Sequence, residues 1–184
     1  MIAVRSYLPS LLSFPGVVLR QFLHQGLCRL LGVKVLDVRY FRADTPSGYV
    51  LHEKPKRLGI SVLLAVGPLV LHSVLCLALC LPAMTPFLFY EEGVSFFTFF
   101  QLWLGLSIGM HAFPTFRDSG NLWELTRQEV LDHGAAVRFL FPLLAFFRTA
   151  HRLSLYGFDV AYAALIGVGI PWLLLGRIVP SISR

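Results

Sequence analysis

The stretch Phe14 to Val35 reads FPGVVLRQFLHQGLCRLLGVKV. Wound as a helix at ~100° per residue, it gathers Arg20, Gln21, His24, Gln25 and Cys28 into an arc of roughly 140°. Val17, Phe22, Leu23 and Leu30 occupy the other side. The stripe holds a guanidinium, two amides, an imidazole and a thiol, so it can donate hydrogen bonds, ligate a metal or pair with a carboxylate. Polar side chains at bilayer depth are expensive and face a partner or a cavity. Something elsewhere in the chain must therefore face this stripe.

That helix belongs to a strongly apolar chain. The 184 residues are 56% hydrophobic and 14% charged, and the mean hydropathy is +0.69. A soluble domain of this length carries more polar surface. The length fits a single α-helical membrane domain, residues 1–184, with three to four transmembrane helices of ~20 residues each. Net charge is +6, which in a membrane protein reads as Lys and Arg in cytoplasmic loops. No basic stripe interleaved with aromatics forms a soluble module, so nucleic acid is not an expected partner. The expected partners are the lipid bilayer and other membrane proteins.

The spans are expected at about 15–35, 58–81, 94–113 and 153–178. Residues 1–13 read as a short entry segment that is retained, because Arg20, Gln21 and His24 interrupt the apolar run and no small-x-small cleavage site follows. Residues 36–57 form a polar connection. Val35, Val38 and Tyr40, then Tyr49, Val50 and Leu51, are β-prone and flank the turn signal Asp44-Thr45-Pro46-Ser47-Gly48, which predicts a β-hairpin. Gly67-Pro68 lies inside the second span, and Pro82 is expected to end it. Residues 83–93 read as a loop with Glu91-Glu92 and no Lys or Arg. The third span is rich in Phe and Trp, expected to face lipid or packing partners. Residues 114–149 read as a loop plus an amphipathic segment. Within it, 137–149 is too short for an ordinary span and suggests an interfacial or re-entrant piece. Positive charge lies in 36–57 and 114–152, which places both connections in the cytoplasm, at a plasma (inner) membrane, with both termini opposite.

Cys28, Cys76 and Cys80 all lie in apolar segments. An odd number without scaffold spacing argues against disulfides and for small buried side chains. His52-Glu53 looks like the start of a zinc-helix motif, but Lys56 stands where the second His is needed and Pro55 breaks the helix. His72 and His111 sit in apolar spans and read first as hydrogen-bonded structural residues. A metal site from His24, His72, His111 and Asp118 is the sharper alternative.

PGVVLRQFLHQGLCRLLGVKV resembles the first catalytic helix of site-2-protease-like intramembrane zinc metallopeptidases. There Pro-Gly and a few apolar residues precede His-Glu-x-x-His, and an apolar run ends in Leu-Leu-Gly-Val. The β-prone piece after it is similar, as is the Gly67-Pro68 span, with His72 where that family often has Asn. His111-Ala-Phe-Pro-Thr-Phe-Arg-Asp-Ser-Gly-Asn resembles the region that supplies an Asp ligand, here Asp118. The resemblance covers roughly residues 14 to 125. It implies a zinc site at positions 20, 24 and 118, yet residues 20–24 read Arg-Gln-Phe-Leu-His. Arg20 stands at the first ligand and cannot bind zinc. Gln21 stands at the general base and cannot take a proton from water. His24 and Asp118 remain. The resemblance thus implies a degenerate member with no catalytic residues and no bound metal. Such a pseudoprotease acts as a binding, structural or regulatory subunit. The degenerate positions are Arg20, Gln21, His24 and Asp118, with a polar cleft at His72 and His111. Arg20 is expected to pair with Asp118 in place of the cation. Two alternatives stand beside this: an active intramembrane zinc metalloprotease with relocated ligands, and a small transporter-like protein with a water-filled path past His24 and His72.

Overall fold

The computed structural model describes residues 11–42, 47–89, 95–133, 138–154 and 157–182. The tip of the expected turn, Asp44 to Pro46, and the Glu91-Glu92 loop lie outside the described residues. The protein is mostly helical, with one small antiparallel hairpin.

Helix α1 spans Phe14–Leu30. Pro15 sits in its first turn, where the missing N–H costs nothing. It stops earlier than the expected Val35. Gly32 adopts φ +68°, and the Val33 N–H donates to Cys28 O at 2.8 Å while the Gly32 N–H donates to Arg29 O at 3.2 Å. That pair of bonds is a Schellman termination, which needs a left-handed residue and so favours glycine. The Leu-Leu-Gly-Val run is thus a stop signal, and the chain turns directly into a strand.

Strands β1 (Val35–Arg39) and β2 (Tyr49–His52) form the predicted hairpin. Val35 pairs with His52 and Arg39 with Tyr49, with a bulge between Val35 and Asp37. The bulge turns the Asp37 carboxylate toward the Tyr49 hydroxyl, which donates to it at 2.6 Å. This bond holds the Asp37 carboxyl below its usual range. A lowered folded-state pKa gives stability that is present above the unfolded value and is lost as pH falls through the folded one. Tyr49→Phe should therefore move the Asp37 titration upward, read by NMR of the side-chain carboxyl. An unchanged midpoint would show that the hydroxyl does not set it.

Helix α2 runs Leu58–Phe89, seven residues of helix beyond the expected end at Pro82, with Pro68, Pro82 and Pro86 inside it. Apolar helices tolerate proline where neighbours bond exposed carbonyls. Beside the carbonyls of Ala78 and Pro82, whose amide donors Pro82 and Pro86 remove, Gln101 Nε2 donates to Leu79 O at 3.1 Å and Thr85 Oγ1 to Leu81 O at 3.3 Å. Helix α3 is Phe96–Gly109, begun by Ser95, whose side chain accepts from the Thr98 N–H. Gly105 and Gly109 on α3 face Cys80 and Cys76 on α2 so closely that an added Cβ at either would meet a sulfur within 3 Å. Cys76 and Cys80 are fully buried and free of disulfides. Small residues on both helices let the backbones approach, the usual device between apolar helices.

Helix α4 is Phe116–His133 and α5 is Leu140–Ser154. The segment expected as an interfacial or re-entrant piece over 137–149 is thus the body of a regular helix from 140 onward. Leu122 of α4, Leu144 and Phe147 of α5 and Ala65 of α2 form a buried core. Helix α6 (Phe158–Ala164), a π-helical turn (Leu165–Gly169) and α7 (Ile170–Ile182) complete the chain. Gly167, in the π turn, sits against both Cys76 and Cys80.

Two helical stretches, Leu58–Phe89 and Phe158–Arg177, are long and apolar enough to cross a membrane. The other two expected spans come out shorter: α1 has 17 residues and carries the polar stripe, and α3 is apolar but has 14. Large apolar side chains point outward from these helices, among them Val70, Val74, Phe96, Phe97, Trp172 and Leu173.

Candidate functional site

Three elements distant in sequence bring the chemistry together. Helix α1 contributes one buried face: Gln21, His24 and Cys28. Strand β2 contributes its last residue, His52, which is buried. The first turn of α4 contributes Asp118.

Asp118 is placed by Thr115, the residue just before α4, through two bonds to its hydroxyl. Its backbone N–H donates to Thr115 Oγ1 at 3.1 Å, and the Thr115 hydroxyl donates back to Asp118 Oδ2 at 2.6 Å. The Thr-x-x-Asp signature is readable in the sequence. The other carboxylate oxygen, Oδ1, accepts from His52 Nε2 at 3.1 Å. His52 Nδ1–H donates to Glu53 O at 2.8 Å. His24 Nε2 lies 3.8 Å from Asp118 Oδ2, and the His24 and His52 rings are 5.3 Å apart between centroids.

Burial pushes the Asp118 carboxyl upward, but the His52 hydrogen bond, the nearby His24 and the Thr115 hydroxyl outweigh it and hold it low. The same hydrogen bond to Asp118 raises the His52 pKa against the opposing effect of burial. The pair therefore favours an imidazolium facing a carboxylate.

The pairing expected between Arg20 and Asp118 is not formed. Arg20 Nη2 donates to Phe113 O at 2.6 Å, at the chain reversal between α3 and α4. The Phe113 carbonyl takes the guanidinium, while His52 and Thr115 are the donors that reach Asp118. His52, read from its neighbours as a false lead, is the closest partner of Asp118. Local reading tested it against a helix motif, whereas it acts as the end of a strand.

His111 stands apart from Asp118 and shares a 2.9 Å hydrogen bond with Ser13. His72 is fully buried and its Nδ1–H donates to Pro68 O at 2.7 Å. Its Nε2 is buried without a hydrogen-bond partner among the described residues. Neither joins the Asp118 cluster as a ligand neighbour.

Zinc on positions 20, 24 and 118 does not fit these residues. Arg20 is a cationic donor engaged by a carbonyl, and no protonatable base stands at Gln21. A different donor set is assembled instead: one ligand atom each from His24, Cys28 and His52 lies within 4.8 Å of the others, with Asp118 against both histidines. The space lined by His52, Pro55, Ser61, Leu64, Asp118 and Asn121 is too narrow for a water molecule.

No protein-family model, no curated protein and no solved structure matches this chain.

Proposed function

We propose that this chain is a multi-pass membrane protein of site-2-protease-like arrangement that does not hydrolyse peptides and acts by binding another membrane protein. The carrying observation is the Arg20 guanidinium held by Phe113 O at 2.6 Å, at the position where the resemblance calls for a zinc ligand. A guanidinium cannot serve as a metal ligand at that position, and Gln21 supplies no base. Two helices of spanning length and apolarity, with apolar side chains turned outward, support the membrane reading. In this reading α1 and α3 also lie within the bilayer, so three to four helices cross. The connections 36–57 and 114–152 face the cytoplasm of a plasma (inner) membrane.

A shallow apolar groove supports the binding role. It holds about 580 Å³ and is lined on α1 by Phe14, Val18 and Phe22 and on α3 by Leu104 and Ile108. An apolar transmembrane helix of a partner fits such a groove by packing rather than by charge.

Purification of the full chain from its native membrane in mild detergent should yield a stoichiometric membrane partner. Val18→Trp, which fills the groove, should release it. Reconstituted in liposomes with helical membrane substrates, the protein should cleave none. Peptide hydrolysis abolished by Asp118→Asn would overturn the reading in favour of a metalloprotease with relocated ligands.

A further inference from the structure

We infer that His24, Cys28, His52 and Asp118 form a closed metal site for a zinc-type divalent ion, on ligands other than those the motif comparison implies. The inference goes beyond the binding role and rests on metal content alone.

The first support is geometric. Tetrahedral zinc with bonds of ~2.0–2.3 Å sets donor–donor edges of about 3.3–3.6 Å. His52 Nε2 to Asp118 Oδ1 is 3.1 Å and His24 Nε2 to Asp118 Oδ2 is 3.8 Å, one below and one above that edge, each to a different oxygen of the carboxylate. The His24, Cys28 and His52 donor atoms are mutually within 4.8 Å, and Asp118 stands outside that set, so its carboxylate has to swing toward Cys28 to close the fourth position. His24 and Cys28 stand four apart on α1, the spacing that brings two ligands to one helix face.

The second support is the outer layer. His52 Nδ1–H is tied to the Glu53 carbonyl, which fixes the tautomer that presents Nε2 to a metal. Thr115 orients the Asp118 carboxylate. Bonds of this kind characterise built metal sites.

The third is charge and softness. Cys28 is completely buried and Asp118 nearly so. A thiolate and a carboxylate neutralise a divalent cation, and two neutral imidazoles complete a four-donor shell suited to zinc rather than to magnesium or calcium. Metal binding displaces one proton from the Cys28 thiol and one from His52 Nε2, both to solvent. Four protein donors leave no open position for a reactive water, so the ion would clamp α1, β2 and α4 together rather than catalyse.

The test is titration of chelator-treated, detergent-solubilised full chain with zinc and then cobalt. One equivalent should bind, and cobalt should give a thiolate charge-transfer absorption with four-coordinate ligand-field bands. Cys28→His should keep the metal and lose the thiolate absorption. His52→Gln and Asp118→Asn should each weaken binding by more than about 100-fold, beyond the loss of an outer partner. His111→Gln, outside the cluster, should bind as the native chain does. Substoichiometric uptake by the native chain would overturn the inference without recourse to any variant. So would a thiolate absorption that survives Cys28→His, or loss of metal in His111→Gln alone. Failure here leaves the binding role standing, and catalysis without this metal would sink the binding role alone.

Discussion

Asp118→Ala should be among the most destabilising single substitutions in the protein. The carboxylate is 5% exposed and its partner His52 only 1%. Removing it strands the His52 imidazolium and takes away the acceptor of the Thr115 hydroxyl. Breaking a buried ion pair from one side costs ~3–5 kcal/mol, because the other charge stays behind without compensation. Asp118→Asn keeps one acceptor oxygen, but it removes the charge and turns the other oxygen into an N–H donor, so it should cost less than Ala yet remain destabilising, ~1–3 kcal/mol. Equilibrium unfolding in mixed micelles, followed by far-UV circular dichroism, measures both. The order matters as much as the size. If the Ala variant were as stable as the native chain, His52 would have to find solvent, and the cluster would not join α4 to the hairpin.

Gly16→Ala should be strongly destabilising, whereas Gly26→Ala on the same helix should be mildly stabilising. A Cβ at Gly16 would lie 2.0 Å from the backbone oxygen of Ser107 and 2.6 Å from its carbonyl carbon. Backbone cannot rotate aside as a side chain can. The contact is also bonded: the Gly16 N–H donates to Ser107 Oγ at 2.9 Å, and the Ser107 hydroxyl donates to Ser13 O at 3.0 Å. Overpacking costs ~1–3 kcal/mol where neighbours can adjust, and here α1 must move off α3 as a body, so ~3 kcal/mol is expected. Gly26 is exposed and a Cβ there meets nothing within 4 Å. Its replacement should stabilise by up to ~1 kcal/mol through helix propensity. The same unfolding measurement, run on the two variants side by side, checks the contrast. Equal effects would mean that α1 does not sit against α3 at Gly16.

The Gly16 contact also explains how the polar stripe of α1 is aimed. With its N-terminus pinned to α3 and Leu27 packed over Gly67 of α2, the helix cannot rotate. Gln21, His24 and Cys28 are left facing inward, while Phe22 and Leu30 face out. Arg20, on the flank of the stripe, reaches the reversal after α3 and finds a carbonyl before it can find a carboxylate.

Much of this was legible in the chain itself. A period of 3.6 in Phe14 to Leu30 is enough to set one polar face, because side-chain direction follows from helix geometry alone. Alternating β-prone residues around a Pro-Ser-Gly turn predict the hairpin for the same local reason. Apolar length marks α2, while the Thr115-x-x-Asp118 spacing is a signal for the start of α4 at Phe116 that a reading of the stretch as loop up to Ser119 passes over. Even the early end of α1 is written in Leu-Leu-Gly-Val, although a reading for continuous apolar length passes over it. The continuation of α2 through Pro82 and Pro86 was not legible, since α3 packs along that stretch, with Gly105 against Cys80 and Gln101 on Leu79 O.

The partner of Asp118 was a tertiary decision. Arg20 and His52 both offered it a cation, and nothing within a few residues of either favours one. His52 prevails because a two-stranded sheet with a bulge turns the last residue of β2 inward, onto the first turn of a helix 66 residues further on. Local sequence determines which face each side chain takes. Which two faces meet depends on how whole elements pack, and at this site packing turned an expected salt bridge into a cluster of two histidines, a cysteine and a carboxylate.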